Sequence, residues 1–159
     1  MTTVTVLIVD DDETDRFLTR HQLRKSNLVG TIIEADDGAT AYTLFANGVV
    51  EHHLAPHPPP TLVLLDVNMP ILSGLDLLER LQRDEELRAA SISVAVVVTS
   101  STHPEDRQRA ERSPLVGGYL EKPLLLETIQ PYLERLADGQ IPAGPGVGPR
   151  LDGNAGADG

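Results

Sequence analysis

Three consecutive carboxylates, Asp10-Asp11-Asp12, follow the apolar run Val4-Thr5-Val6-Leu7-Ile8-Val9. Asp66 closes a second run, Thr61-Leu62-Val63-Leu64-Leu65. Thr99-Ser100-Ser101 follow Val94-Ala95-Val96-Val97-Val98, and Lys122-Pro123 come just after Tyr119-Leu120. Clustered carboxylates repel one another unless a cation lies among them. Oxygen donors suit a hard divalent ion, and Mg2+ suits a site with few protein ligands and several waters. Lys122 offers a second positive charge. An Asp carboxylate can serve as a nucleophile that accepts a phosphoryl group. Mg2+, the Lys122 ammonium and the Thr99 hydroxyl would then stabilise charge on the transferring oxygens. The bland alternative is a solvated acidic rim at a helix N-terminus, where Asp is favoured anyway. That accounts well for Asp12, Glu13 and Asp15. It accounts poorly for Asp10, Asp11, Asp66, Thr99 and Lys122 jointly, because they close four different apolar runs.

Those runs must be strands for the groups to converge. Val4–Val9 is β-branched and reads as a buried strand. Thr31–Glu34, Thr61–Leu65, Val94–Thr99 and Tyr119–Leu120 give four more. Between them lie helical patterns: Thr14–Lys25 with Phe17, Leu18 and Leu23 facing inward, Gly38–Asn47 with Ala41, Leu44 and Phe45 inward, Leu75–Leu81, Pro104–Arg112 and Leu124–Leu136. Alternation of this kind predicts an α/β fold, a five-stranded parallel sheet flanked by helices on both faces. Runs one, three and four are the most apolar and belong in the centre, which supports order 2-1-3-4-5 with right-handed crossovers. Ligands of such sheets bind at the carboxyl ends of the strands, and all the groups named above lie there. Pro131 predicts a kink near Thr128 or a break in the last helix.

Composition narrows the function classes. The 159 residues carry 13 Lys plus Arg against 24 Asp plus Glu, a net charge of -11, which disfavours direct nucleic-acid binding. Cysteine is absent, removing thiol catalysis and Cys-based zinc sites. No run approaches a membrane span, and the first residues do not read as a signal peptide; a soluble cytoplasmic protein is the expectation. The first strand–helix loop has no glycine, so dinucleotide and P-loop readings fail. His52, His53 and His57 crowd the Pro-rich stretch 48–60, where a closed four-ligand metal site is not provided for. Residues 1–137 form the domain. Residues 138–159, with seven Gly and three Pro, read as a flexible tail.

The motifs resemble those of the receiver domains of two-component response regulators, over Val4 to about Leu136. Val6-Leu7-Ile8-Val9-Asp10-Asp11-Asp12 is similar to the family's acidic opening. Leu65-Asp66-Val67-Asn68-Met69-Pro70-Ile71-Leu72-Ser73-Gly74 is similar to its phosphoacceptor segment, and Val98-Thr99-Ser100-Ser101 and Tyr119-Leu120-Glu121-Lys122-Pro123-Leu124 complete the set in order. The resemblance implies a flavodoxin-like fold and a signalling protein rather than an enzyme, with slow self-dephosphorylation. It implies Asp66 as phosphoacceptor, and Mg2+ held by Asp10, Asp11, Asp66 and the Asn68 backbone carbonyl. Thr99 would be the switch hydroxyl, Lys122 the phosphate-pairing amine and Tyr119 the aromatic switch, with the Lys122–Pro123 bond often cis. Gly74 is expected to permit a turn before the third helix. The phosphodonor would be a sensor histidine kinase, a phytochrome-type kinase among the candidates, or a histidine phosphotransfer protein. Homodimers through the last two helices, or through the fourth and fifth units, also fit the resemblance. No second domain is expected after the receiver. Two other readings are a phosphorylation-independent pseudo-receiver scaffold and a metal-dependent aspartyl phosphatase of haloacid-dehalogenase type. The first would be favoured by loss of an acidic-pair residue, Asp66 or Lys122. The second would show Asp-x-Asp where Asp66-Val67-Asn68 stands.

Overall fold

The computed structural model describes residues 3–44, 60–67, 74–83, 92–98, 105, 108, 112 and 116–139. Five strands, β1 (Val4–Val9), β2 (Val29–Ala35), β3 (Thr61–Asp66), β4 (Ile92–Val98) and β5 (Val116–Glu121), form one sheet of order β2-β1-β3-β4-β5. Every neighbouring pair is parallel. The described helical segments are α1 (Glu13–Leu23), α2 (residues 38–44), α3 (Gly74–Arg83) and α4 (Leu126–Ala137). The expected strand order and the α/β class are therefore observed. The stretch 48–59, the tail from 140 onward and most of 104–112 lie outside the described residues.

The strand alternation divides the core. Leu7 and Val9 of β1 join Val63, Leu65, Ala41, Leu77, Leu78 and Tyr119 on one face of the sheet. Val4, Val6 and Ile8 join Leu62, Leu64, Leu23, Ile129, Leu133 and Leu136 on the other. Because both faces are covered, β1 and β3 must be apolar nearly throughout, which is why their sequences show no alternation. Each fully buried Leu or Val among these contributes about 1.5–3 kcal/mol of transfer free energy. Both irregularities in the register fall at glycine. Thr5 pairs with Thr31 after Val4 pairs with Val29, and Ala95 pairs with Gly118 after Val94 pairs with Val116, so Gly30 and Gly117 are the extra residues.

Two helix expectations change. Phe17 and Leu18 do not face the core; they are 55% and 51% exposed, and α1 buries Thr19 and Leu23 instead. At about 100° per residue, Phe17 lies about 160° round the helix from Thr19. Its ring is covered from outside by Arg20, whose guanidinium carbon is 5.4 Å from the ring centroid, and stacks on His21. The last helix neither breaks nor restarts at Pro131. It runs continuously from Leu126 to Ala137, with Ile129, Tyr132, Leu133 and Leu136 buried. Packing of that face outweighs the backbone hydrogen bond that proline cannot make. The N-terminus of α4 has no side-chain cap of its own. The Leu126 N–H donates instead to Gln22 Oε1 of α1 at 3.1 Å, and Ser26 Oγ donates to Gln130 Oε1 at 2.9 Å.

Candidate functional site

The register brings the carboxyl ends of four strands together. Val9 pairs with Leu65, Asp66 with Val97, and Val98 with Glu121, the residue before Lys122. Asp10 and Asp66 are consequently buried at 5% and 3% exposure, while Asp11 is exposed. Carboxylate oxygens of Asp10, Asp11 and Asp66 lie within 4.8 Å of one another.

Local backbone contacts hold each group. The Asp10 N–H donates to Ala35 O at 3.1 Å, tying the end of β1 to β2. Asp10 Oδ1 accepts from the Asp12 N–H at 2.9 Å, and its carbonyl accepts from the Arg16 guanidinium at 2.7 Å. Arg16 and Arg20 both pair with Glu34 of β2, which fixes α1 against the sheet edge. Asp12 caps α1, its Oδ1 accepting from the Thr14 and Asp15 N–H groups. This is the bland role expected of Asp12, and it leaves Asp10 and Asp11 for the site.

Asp66 is held from behind by Gly74. A Cβ at position 74 would lie 2.2 Å from the Asp66 carbonyl oxygen, and the Gly74 N–H donates to Val67 O at 3.3 Å. The need for glycine here is therefore close approach of α3 to the β3 backbone, rather than the turn expected from sequence.

Lys122 sits among the carboxylates. Its Nζ is 2.8 Å from Asp10 Oδ2, 2.8 Å from Asp15 Oδ2 and 3.4 Å from Asp66 Oδ2. Burial alone would lower the ammonium's pKa. Hydrogen bonds to Asp10 and Asp15, with the charges of Asp66 and Asp10, outweigh it and raise Lys122 well above the ordinary lysine range. The Lys122–Pro123 bond is cis, as the resemblance implied. Tyr119 of β5, three residues before Lys122, is buried in the core face shared with α2 and α3. Asn68 and Thr99 lie outside the described residues.

Asp15 is the residue that sequence reasoning missed. Its position in the first turn of α1 offered a sufficient explanation in helix capping and dipole terms. The only signal that could have found it was the acidic count around a single lysine.

The donor set fits Mg2+. Three carboxylates, from Asp10, Asp15 and Asp66, face one ammonium, and Asp11 lies beside Asp10 and Asp66, so excess negative charge remains after Lys122 is counted. All the donors are hard oxygens. Mg2+ binds such oxygens at about 2.0–2.1 Å, and the carboxylate oxygens of Asp10, Asp11 and Asp66 all lie within 4.8 Å of one another.

A family model described as response regulator receiver domain matches residues 6–134. The chain is 31% identical over 131 residues to chemotaxis protein CheY-3 of Vibrio cholerae, covering 82% of this chain and 89% of that one. It is 31% identical over 135 residues to the polar-differentiation response regulator DivK of Brucella ovis, covering 82% and 97%. A two component response regulator from Cytophaga hutchinsonii superposes with a TM-score of 0.71 at 25% identity, covering 87% of this chain and 99% of that one.

Proposed function

The chain belongs to the response regulator receiver family, and from that premise we propose that Asp66 is its phosphoacceptor. The observation that carries the assignment is Asp66 itself: a buried carboxylate at a strand end, within reach of two further carboxylates and one ammonium. Asp66 Oδ attacks the phosphorus of a phosphohistidine on a histidine kinase or histidine phosphotransfer protein. An O–P bond forms, the P–N bond breaks, and the imidazole leaves. Lys122 pairs with a phosphoryl oxygen. It is already charged and stands 3.4 Å from Asp66 Oδ2, so only a short shift of the ammonium is needed at the moment of transfer.

Asp10, Asp11 and Asp66, with the Asn68 carbonyl, would hold Mg2+. When bound, the ion neutralises charge on the transferring phosphoryl group. Burial of Asp10 and Asp66 excludes bulk water from two of the donors, while exposed Asp11 leaves an open approach from solvent. Thr99 directly follows Val98 in sequence and is assigned as the hydroxyl that reports the phosphoryl group. Tyr119, buried two strand positions before Glu121, is assigned as the side chain that responds. The charge and hydrogen-bonding change at Asp66 then biases two conformations of the surface that partners read. Self-dephosphorylation makes the signal transient, and the cytoplasm is the compartment for both donor and target. No described helix is long and apolar enough to cross a membrane.

The test is incubation with acetyl phosphate and Mg2+, read by intact mass and by peptide mapping after borohydride trapping. The expected result is a single HPO3 addition at Asp66, absent in Asp66→Asn and absent in excess EDTA. Undiminished addition in either control refutes the assignment.

A further inference from the structure

Lys122 is shared, and its sharing is uneven. The ammonium bonds two carboxylates at 2.8 Å, Asp10 and Asp15, and stands 3.4 Å from the third, Asp66. The side chains of Asp10 and Asp66 are 7% and 5% exposed, whereas that of Asp15 is 37% exposed. An ammonium has three donors, and here each faces a carboxylate. Asp15 comes from the first turn of α1, anchored by its N–H to the Asp12 cap. It therefore pulls from outside the pocket, opposite in character to the two buried acids.

We propose that Asp15 is a positioning residue that holds the Lys122 ammonium partly away from Asp66 in the unphosphorylated protein and releases it to the phosphoryl group. The assignment rests on the phosphoacceptor reading of Asp66. Phosphorylation converts one carboxylate into a group with one more negative charge and three acceptor oxygens, all competing for the same ammonium. Of the three existing partners, Asp15 is the most solvated. Its pairing is the most screened, so it is the one surrendered at least cost. Asp15 thus stabilises the resting state relative to the phosphorylated one, and it does so through Lys122 without touching the reacting atoms.

The experiment uses the full chain with acetyl phosphate as donor and Mg2+ present. Asp66 Oδ bonds to phosphorus, the donor's P–O bond breaks, and acetate leaves with the electron pair, so no proton or further reactant is needed. The initial rate and the steady-state extent of phosphorylation are measured for wild type, Asp15→Asn, Asp15→Glu and Glu13→Gln. Asp15→Asn is expected to raise the phosphorylated-to-unphosphorylated ratio about 1.5- to 5-fold, the range an exposed ion pair can supply. The gain should shrink as salt is raised toward 1 M, where screening extends to about 3 Å. Asp15→Glu should restore the wild-type ratio. Glu13→Gln removes the same charge from the same helical turn and should leave the ratio unchanged, which separates the Lys122 contact from a general charge effect. An unchanged or lowered ratio in Asp15→Asn overturns the proposal while leaving Asp66 as acceptor. An equal rise in Glu13→Gln also overturns it. A wild type that accepts no phosphoryl group refutes the Asp66 reading and this assignment with it.

Discussion

Replacing Gly74 by alanine should damage the site from a position that carries no reactive group. The added Cβ would lie 2.2 Å from Asp66 O, 2.9 Å from Asp66 C and 3.0 Å from the Val67 Cα. A carbon and a carbonyl oxygen approach to about 3.3 Å at closest, so the backbones must separate by about 1 Å. Neither side yields easily. Asp66 ends β3, which is paired with β1 on one side and β4 on the other. Leu77 and Leu78 anchor α3 in the core. Overpacking that forces backbone shifts costs about 1–3 kcal/mol, and a clash of backbone with Cβ belongs at the upper end. Alanine returns about 0.4–1 kcal/mol by restricting the unfolded chain, leaving a net loss of about 1–2 kcal/mol. With a urea slope near 2 kcal/mol/M, the unfolding midpoint should fall by about 0.5–1 M. Displacing Asp66 by about 1 Å can cost about a hundredfold in rate, so phosphorylation by acetyl phosphate should drop more steeply than stability. A Gly74→Ala protein with an unchanged midpoint and an unchanged phosphorylation rate would refute the argument that close approach of α3 positions Asp66.

Further expectations follow from the same packing. Asp12→Ala removes the acceptor for the Thr14 and Asp15 N–H groups and should cost about 1 kcal/mol in urea unfolding. Leu133→Ala, in the core face beneath α4, should cost about 2–5 kcal/mol, whereas Leu18→Ser on exposed α1 should stay within about 0.5 kcal/mol; equal effects would contradict the assigned faces. Asp37 accepts from the Thr40 N–H at 2.6 Å, and bonds from the Thr40 backbone and then its hydroxyl hold its carboxyl below the usual Asp value. Its contribution is therefore complete above the unfolded pKa of about 3.9 and is lost as pH falls through the folded value. Wild type minus Asp37→Ala stability, followed by denaturant titration, should be flat from neutral pH down to about 5 and should narrow below that.

Much of the architecture was legible from one dimension. Strands buried on both faces must be apolar along their whole length, so Val4–Val9 and Thr61–Leu65 declared themselves without any partner in view. Polar groups at the ends of such runs have few places to go except the rim of the sheet, which is why the sequence alone groups Asp10, Asp11, Asp66 and Lys122. Boundaries were less visible. Gly30 and Gly117 lengthen β2 and β5 beyond the short apolar segments that announce them, because a bulge admits residues that break the pattern.

What sequence could not decide was the company each side chain keeps across elements. Phe17 and Leu18 promised an inward face, yet the rotation of α1 is set by Leu23 and Thr19 packing on the sheet and by Arg16 and Arg20 reaching Glu34. Pro131 argued for a break, but four buried side chains keep α4 continuous. Asp15 and Lys122 are 107 residues apart, and helix capping was a sufficient local account of Asp15. Only the parallel register and the placement of α1 bring its carboxylate to the ammonium. Local periodicity announces which segments are strands and helices, since that follows from the chain's own geometry. Which charge meets which depends on how separate elements are rotated against one another, and that is settled by the packing of the whole core.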